Sequence, residues 1–513
     1  MAVAPVGAFR RKKEVAMKNH GSDAPKKSLP LVLTAVVLVL LMVSGALASC
    51  AGDGSGSGKG KSQKLELPEV NYGGEEIVFL VTTETNWGNE NIIADTLTGE
   101  PVNDAIYNRN AAVESLLNIK IKQIDCPYKE MEFKVTTAVA AGSREYDIVM
   151  PRLFYYASLV QQGQLLNVDN LTHVKQEKAW WDANIRRDLS LLGNLYALTG
   201  SMHMYANDAT WIMLFSKDLY ADLNMRDTHG SVYDVVKKGK WTFDKFTEMM
   251  RGVTMDLDGD TKFTEKDRIA HLAANNNPIF AFISAAGESL FLKENDTVTL
   301  NIGSERFVNV VDKVIRMMND DYMTLNTYNA KKWGEGAEGL KGQNALQKAI
   351  FADKRVLFRS EVLDVVDQYS DIDMDFGILP YPKYDEKQKD YVSIIIPDVV
   401  VTSVPIDCPD PDKISVILEA MAGKSHDTLL KAYYDVTLKR KNSRDDESAE
   451  MLDIIFGNRM YMFDMVFDWG GIKNSIIESV NESRNDMKTI EANLGEQIKN
   501  EIAATMKAVR ENN

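Results

Sequence analysis

The strongest constraint on how this chain can fold is an alternation that begins at Gly74. Glu76–Thr82 (EIVFLVT) is a run of β-formers without helical period and reads as a buried strand. Asn103–Asn118 then sets Ala105, Ile106, Ala112, Val113, Leu116 and Leu117 at helical spacing, with Asn103 as a candidate N-cap. Ile119–Ile124 alternates apolar and polar as a strand. Glu132–Ala141 returns to helical spacing, Tyr146–Met150 (YDIVM) is a strand again, and Ala157–Gln162 is a short helix. Strand, helix, strand, helix, strand requires a parallel sheet with helices on both faces.

The pattern restarts after Tyr196–Gly200. Thr210–Ser216 is a strand, a helix lies near Lys217–Leu223, and Trp241–Met250 is helical with Thr242 as its cap. Helices over Arg306–Asn319 and Gly342–Ala352 frame short strands at Val356–Phe358, Phe376–Leu379 and Tyr391–Ile396. Val399–Val404 is a β-branched run between Pro397 and Pro405. Beyond it only helices are expected: Lys413–Ala422, Asp427–Lys439, Glu447–Phe456 and a long tail from Glu478 to Arg510. The fold class is therefore α/β, with two lobes, a sheet in each, and more than one chain crossing between them. Ligands of such sheets bind beyond the carboxyl ends of the strands.

The first 73 residues read differently. Lys26 and Lys27 precede a 13-residue apolar run, Leu31–Val43, and then small residues up to Leu47-Ala48-Ser49-Cys50. A basic flank, a short apolar core and a small-residue cleavage site make a signal peptide over residues 1–49; a membrane span needs about 20 apolar residues. LASC resembles a bacterial lipobox, which implies acylation of Cys50 and anchoring by two or three chains. Residues 50–73 are rich in Gly, Ser and Lys and form a flexible tether. The cluster Arg10–Lys13 lies far from the apolar core, so translation is expected to start at Met17; an N-terminal precursor peptide covering residues 1–16 would refute this. Gly60-Lys61-Ser62 lacks the upstream glycine, strand and helix of a phosphate loop.

Composition narrows the function. The formal charge is -15, and because residues 1–49 carry seven basic and two acidic side chains the remainder bears -20. Such a body repels nucleic acid and anionic headgroups. A chain of 513 residues with 45% apolar residues can bury a large core without disulfides, so Cys126 and Cys408 are expected as free buried thiols.

Several stretches together resemble the bacterial extracellular solute-binding proteins of ABC importers, carbohydrate-type family 1: VNDAIYNRNAAVESLLNI (Val102–Ile119), YDIVMPRLFYYASLVQQGQLLNVD (Tyr146–Asp169), TWIMLFSKDLY (Thr210–Tyr220), FADKRVLFRSEV (Phe351–Val362), FGILPYPKYD (Phe376–Asp385) and LKRKNSRDDESAEMLDII (Leu438–Ile455). Each is weak alone; their order behind a lipobox is specific, and they span residues 74–513. The resemblance implies a type II periplasmic-binding fold that closes on a ligand about a hinge. It places crossings near His203–Ala209, Ile394–Val401 and residues 438–448, giving lobe one as 74–205 and 400–440 and lobe two as 206–399 and 441–513. It further implies a monomeric receptor on the extracytoplasmic face of the membrane, held by lipid, whose partners are a small solute (an oligosaccharide first of all) and the transmembrane subunits of an ABC permease.

A sugar offers an apolar ring face and a rim of hydroxyls, which aromatic rings and polar or charged side chains grip respectively. Candidates stand after strands: Glu84, Asn86 and Trp87; Arg152, Phe154 and Tyr155; Asn207, Asp208 and Trp211 at the first crossing; Arg359, Ser360 and Glu361; and Trp469 beside Gly470-Gly471. Any one of them can equally be a core aromatic or a solvated charge. Trp87 and the Arg359–Glu361 group carry the stronger expectation, whereas Trp180-Trp181 is expected to pack a lobe surface.

Asp256, Asp258, Asp260, Lys262 (through its carbonyl) and Asp267 fall at positions one, three, five, seven and twelve of a calcium-type loop, with Thr264 at nine. Thr261 replaces the glycine of position six and Asp267 the usual Glu, so the alternatives are a structural Ca2+ site, of a kind seen in the family, and a plain acidic turn. There is no HExxH and no G-x-S-x-G, and no catalytic cofactor is expected. A receptor for peptides or another solute, an anchored glycan hydrolase and an adhesive surface protein are the rival readings.

Overall fold

Strand β1 (Glu75–Thr83) is the centre of the first sheet, flanked by β2 (Ile119–Pro127) on one side and β3 (Ile148–Met150) on the other, all parallel. The computed structural model describes residues 64–83, 91–261, 263–273, 275–294, 296–320, 322–327, 344–369, 372–433 and 446–511. The expected signal peptide, Cys50 and most of the tether lie outside the described residues. Helix α1 (Pro101–Leu117) joins β1 to β2; α2 (Met131–Ala141) joins β2 to β3; α3 (Leu153–Gln161) follows β3. Helix α1 starts earlier than Asn103, because Glu100 is the cap: its carboxylate accepts from the amides of Val102 (3.1 Å) and Asn103 (2.6 Å), and Pro101 takes a first-turn position that needs no N–H.

The β-branched run after Pro397 completes this sheet. Ser403 and Val149 exchange both backbone hydrogen bonds (2.8 and 2.9 Å), and Val400 bridges Arg152, so residues 399–403 run antiparallel beside β3. Leu198 pairs with Thr402 on the far side.

The second sheet has the order β10 (Phe376–Leu379), β4 (Trp211–Ser216), β9 (Val356–Val362), β5 (Ile269–Ala273), β8 (Thr324–Asn326). β4 is antiparallel to both neighbours, and β5 is parallel to β8 and β9. All six residues of β4 are buried: Trp211, Met213 and Phe215 enter one apolar cluster, Ile212 and Leu214 another, so this sheet is covered on both faces. β5 (IAHLA) escapes a sequence reading because alanine and histidine dilute its β character. His271 is tolerated there because its ring nitrogens reach Thr324 Oγ1 on β8 (3.1 Å) and Ser360 Oγ on β9 (2.8 Å).

β6 (Phe291–Glu294) and β7 (Thr297–Leu300) form a hairpin. Helix α4 (Ala183–Leu189) follows α3 in the first lobe; α5 (Phe243–Met250), capped by Thr242 as expected, α6 (Asn277–Ala285) and α7 (Glu305–Met318) flank the second sheet. Helix α8 (Pro411–Asp427) packs on α1 and α9 (Asp446–Gly457) on β10. The carboxyl-terminal region is not purely helical: β12 (Arg459–Tyr461) pairs in parallel with β11 (Ser393–Ile395). The expected single tail helix is two, α11 (Ile472–Asn481) and α12 (Met487–Glu511), separated by a turn in which Ser483 takes φ 57°. Helix α10 (Phe463–Phe467) and α12 pack on α3, whereas α11 packs on α7, so this region touches helices of both lobes. Cys126 is a buried free thiol, as expected; Cys408 is free and half-buried. Among the described residues no helix is long and apolar enough to cross a membrane.

His271 titrates against the fold. Burial pushes it down to about 3, below its ordinary 6.5, so its contribution is present above pH 6.5 and is lost as pH falls toward 3. Between pH 6.5 and 5 this loss is about 2 kcal/mol. His271→Gln is expected to lower stability at pH 7 yet to lose about 2 kcal/mol less than the parent on going from pH 7 to 5, measured by urea unfolding. Equal losses in both proteins would contradict this.

Candidate functional site

The order of the first sheet reverses at β1, with β2 to one side and β3 to the other, which opens a crevice at their carboxyl ends. Residues 84–90 follow β1, Tyr128 follows β2, and Arg152, Phe154 and Tyr155 follow β3. Glu84, Asn86 and Trp87 therefore lie outside the described residues. Two segments cross to the second lobe at the same edge and run side by side: Thr210 bridges Ile395, and the amide of Ile396 donates to the carbonyl of Ala209 (3.2 Å). β4 starts at Trp211, opposite Val362 at the carboxyl end of β9. The carboxyl edges of both sheets thus flank the crossings. The expected third crossing falls mostly on residues 434–445, outside the described residues.

Arg152 is the charged centre of the first edge. Its guanidinium ion-pairs with Asp398, which stands in the second crossing just after Pro397, and both side chains are largely buried. The same guanidinium lies over the ring of Tyr128 at 4.6 Å and near that of Phe154 at 5.8 Å. Lys473 of α11 approaches Phe154 at 5.2 Å, and Tyr155 packs against Tyr128 at 6.1 Å. Burial pulls Arg152 below its ordinary value, opposed by Tyr128 and Tyr155, and its Nε has no partner among the described residues. The group therefore combines half-buried aromatic rings, a fixed cation and a carboxylate, which is what a polar ligand with apolar faces requires. Tyr128, Asp398 and Lys473 join the site without a signal of their own in the sequence pattern. Tyr128 is reached only through its position after Pro127 at the end of β2; the other two come from residues far along the chain.

Five of the expected ligand residues are placed elsewhere. Arg359 and Ser360 do not follow a strand, because β9 extends to Val362; both are buried within it. Arg359 donates to Tyr369 Oη and to Glu361 Oε2 (2.8 Å), an i, i+2 pair on one face of the strand, while Ser360 supports His271. Arg359, Ser360 and with them Glu361 thus serve the core of the second lobe. Trp211 is also core, edge-on to Tyr381 at 6.5 Å. Trp469 is 1% exposed, stacked on Phe467 and edge-on to Phe291, both at 5.0 Å, with its indole N–H donating to Thr505 Oγ1 (3.0 Å). Asn207 and Asp208 stand at the crossing, where Asn207 accepts from Arg459 and Asp208 from Tyr433 Oη. Trp180 and Trp181 are buried rather than superficial; both indole N–H groups donate to Glu419 (3.1 and 2.8 Å).

The acidic loop divides into two parts. The carboxylates of Asp256, Asp258 and Asp260 offer oxygens within 4.8 Å of one another. Lys262 lies outside the described residues. Asp267 does not join the three: fully buried, it accepts from the amides of Leu257 (2.8 Å) and Thr264 (2.7 Å) and so braces the loop. Thr261, in the glycine position, adopts φ 66°.

Because Arg152 and Asp398 are buried against each other, removing one strands the other. Arg152→Met is expected to cost about 3–5 kcal/mol, and adding Asp398→Leu to recover a large part of it. Chemical denaturation of the two singles and the double measures the coupling; additive losses would show that the pair contributes nothing jointly.

No protein-family model and no curated protein sequence matches the chain. Solved structures do. A cyclo/maltodextrin-binding protein complexed with maltotetraose is 14% identical, covering 85% of this chain and 97% of its own, with a TM-score of 0.52. The cyclic alpha-maltosyl-1,6-maltose binding protein from Arthrobacter globiformis is 10% identical, covering 86% and 99%, with a TM-score of 0.51. UspC of M. tuberculosis is 14% identical, covering 80% and 100%, with a TM-score of 0.50. This chain has the two-lobed α/β fold of the periplasmic binding proteins, the architecture that the sequence resemblance implied.

Proposed function

We propose that the protein is the substrate-binding receptor of an ABC importer. It captures an oligosaccharide in the crevice between the lobes, returns it chemically unchanged, and hands it to a permease. The Arg152 group carries this reading: aromatic rings, a fixed cation and a carboxylate gathered at the reversal point of the first sheet, beside the two crossings about which the lobes would close. Two of the proteins sharing the fold are described as binding maltotetraose and cyclic maltosyl-maltose, which favours a sugar over a peptide. Lipid on Cys50 would hold the receptor at the extracytoplasmic face of the membrane. Thermal unfolding of the full chain in detergent against oligosaccharides, peptides and polyols is the test. A ligand at a hundred times its Kd stabilises by about 2.7 kcal/mol, a rise of a few degrees in Tm. A rise with one sugar class, recovered intact and abolished in Tyr155→Ala, is expected. A rise with peptides alone would retain the receptor and overturn the sugar, and consumption of the sugar would make the protein a hydrolase.

We further propose that Asp256, Asp258 and Asp260 hold a structural Ca2+, with the Lys262 carbonyl as a fourth ligand. Calorimetric titration is expected to show one site, lost in Asp258→Asn. Asp267→Asn should lower Tm even in chelator, since its bonds to Leu257 and Thr264 need no metal. No heat of binding in the parent would refute the site.

A further inference from the structure

Residues 64–72 lead into β1 and lie on the first lobe. Leu65, Leu67, Val70 and Tyr72 are partly buried against the apolar core, and the residues between them are exposed. The two sets alternate as in an extended chain, with Pro68 shifting the phase by one residue. Hydrogen bonds fix the end of the segment next to β1. The Tyr72 amide donates to the carbonyl of Leu117, the last residue of α1 (3.0 Å). Asn71 Oδ1 accepts from the Gly73 amide (2.9 Å) and from Asn118 Nδ2 (2.7 Å).

The other end is seated on α8. Gly423 is buried inside that helix, and the three nearest atoms that a Cβ there would meet all belong to Leu65, the closest at 2.8 Å. Glycine inside a helix costs about 1 kcal/mol relative to alanine. Here the missing Cβ leaves the space that Leu65 fills. The direction of α8 then sets the direction of the segment. The first turn of α8 lies at the amino edge of the first sheet, where Lys413 pairs with Glu75 at the start of β1 (2.6 Å). Its far end lies at the crossings, where His426 Nδ1 meets Ser201 Oγ (3.1 Å) and Tyr433 donates to Asp208. From Lys413 to Gly423 the helix rises about 15 Å. Residues 64–72 therefore run back against β1, from the crevice side at Leu65 to the amino edge at Tyr72.

We propose that residues 64–72 are a strap that moves the exit of the chain from the amino edge of the first lobe to its crevice side, so that lipid on Cys50 holds the crevice toward the membrane. This rests on the reading of Cys50 as a lipid anchor. Without the strap the chain would leave the lobe at Gly74, and residues 50–73 could span about 80 Å, more than twice the roughly 30 Å length of β1. Such a leash sets no orientation. With the strap docked, residues 50–63 span at most about 50 Å from a point beside Gly423. The shorter leash also raises the effective concentration of the crevice edge at the membrane surface, where a permease would take the solute.

The test uses the full lipidated chain in phosphatidylcholine vesicles that carry a fluorescent acceptor on the headgroups. A donor is placed by Asp427→Cys at the crevice end of α8 or by Lys120→Cys at the start of β2, each with Cys408→Ser. Energy transfer is expected to be stronger from position 427 than from position 120, and Gly423→Leu, which fills the seat of Leu65, is expected to abolish the difference. Cleavage by a glutamate-specific protease at Glu66 and Glu69 is expected to be about ten-fold faster in Gly423→Leu than in the parent. Where Gly423→Leu fails to fold, Leu65→Asp with Leu67→Asp releases the strap from its own side. Equal cleavage of parent and variant overturns the strap. Equal transfer from the two positions, or a difference that survives in the variant, overturns the orientation. A chain that does not sediment with vesicles overturns the anchor reading of Cys50 instead, and the cleavage rates still decide whether the strap is docked.

Discussion

The antiparallel pairing of residues 399–403 with β3 is the contact on which the rest of the architecture depends. It brings a segment that has already crossed the second lobe back into the first sheet, about 250 residues after β3 left it. Because this segment enters from the carboxyl edge, it must run against the parallel strands, and its entry point falls beside Arg152. The other crossing leaves from the same edge by way of Leu198, paired with Thr402. The two crossing segments, paired at Thr210 and Ile395 and by the Ile396 amide on the Ala209 carbonyl, make a narrow, hydrogen-bonded bridge. Such a bridge can bend by small backbone changes while the sheets, covered on both faces, stay rigid.

Buried charge follows the same logic. Arg152 finds its carboxylate at Asp398 in the bridge, and Arg459 finds Asp182 and Asn207 across it. Both pairs join residues separated by more than 200 positions. A buried ion pair is weak evidence for stability but strong evidence for register, since a misplaced bridge would leave both charges unpaired in apolar surroundings. Arg359 with Glu361 is the contrast. That pair is local to one strand, serves one lobe, and carries no information about how the lobes meet.

This contrast explains which parts of the molecule were legible in the sequence. β1, β2 and α1 were, because period and composition are local signals, and β4 was, because a strand covered on both faces is continuously apolar. β5 and β12 were not: a histidine satisfied by neighbouring strands, and three residues paired only with β11, carry no such signal. The site was half legible. Arg152 and Tyr155 follow a strand whose end can be read. Trp469 and Trp211 looked the same on paper, yet aromatic partners from distant segments took them into the core. A loop aromatic is a ligand group only if nothing else in the fold can bury it, and that depends on chain return rather than on local text.

Asp267 makes the same point about chemistry. Its spacing from Asp256 is that of a ligand, and a spacing argument counts it as one. The carboxylate, however, sits where the amides of Leu257 and Thr264 converge, one residue before the chain pairs Arg268 with Met255 and enters β5. Two backbone donors on a buried carboxylate fix the loop's two ends together whether or not an ion is bound. The three outer aspartates are then presented by a closed loop instead of being gathered by the metal. Spacing along the chain says which carboxylates can reach a common point; burial sets Asp267 apart, since Asp256 also accepts two loop amides (2.7 and 2.8 Å) yet keeps its carboxylate near the surface with Asp258 and Asp260.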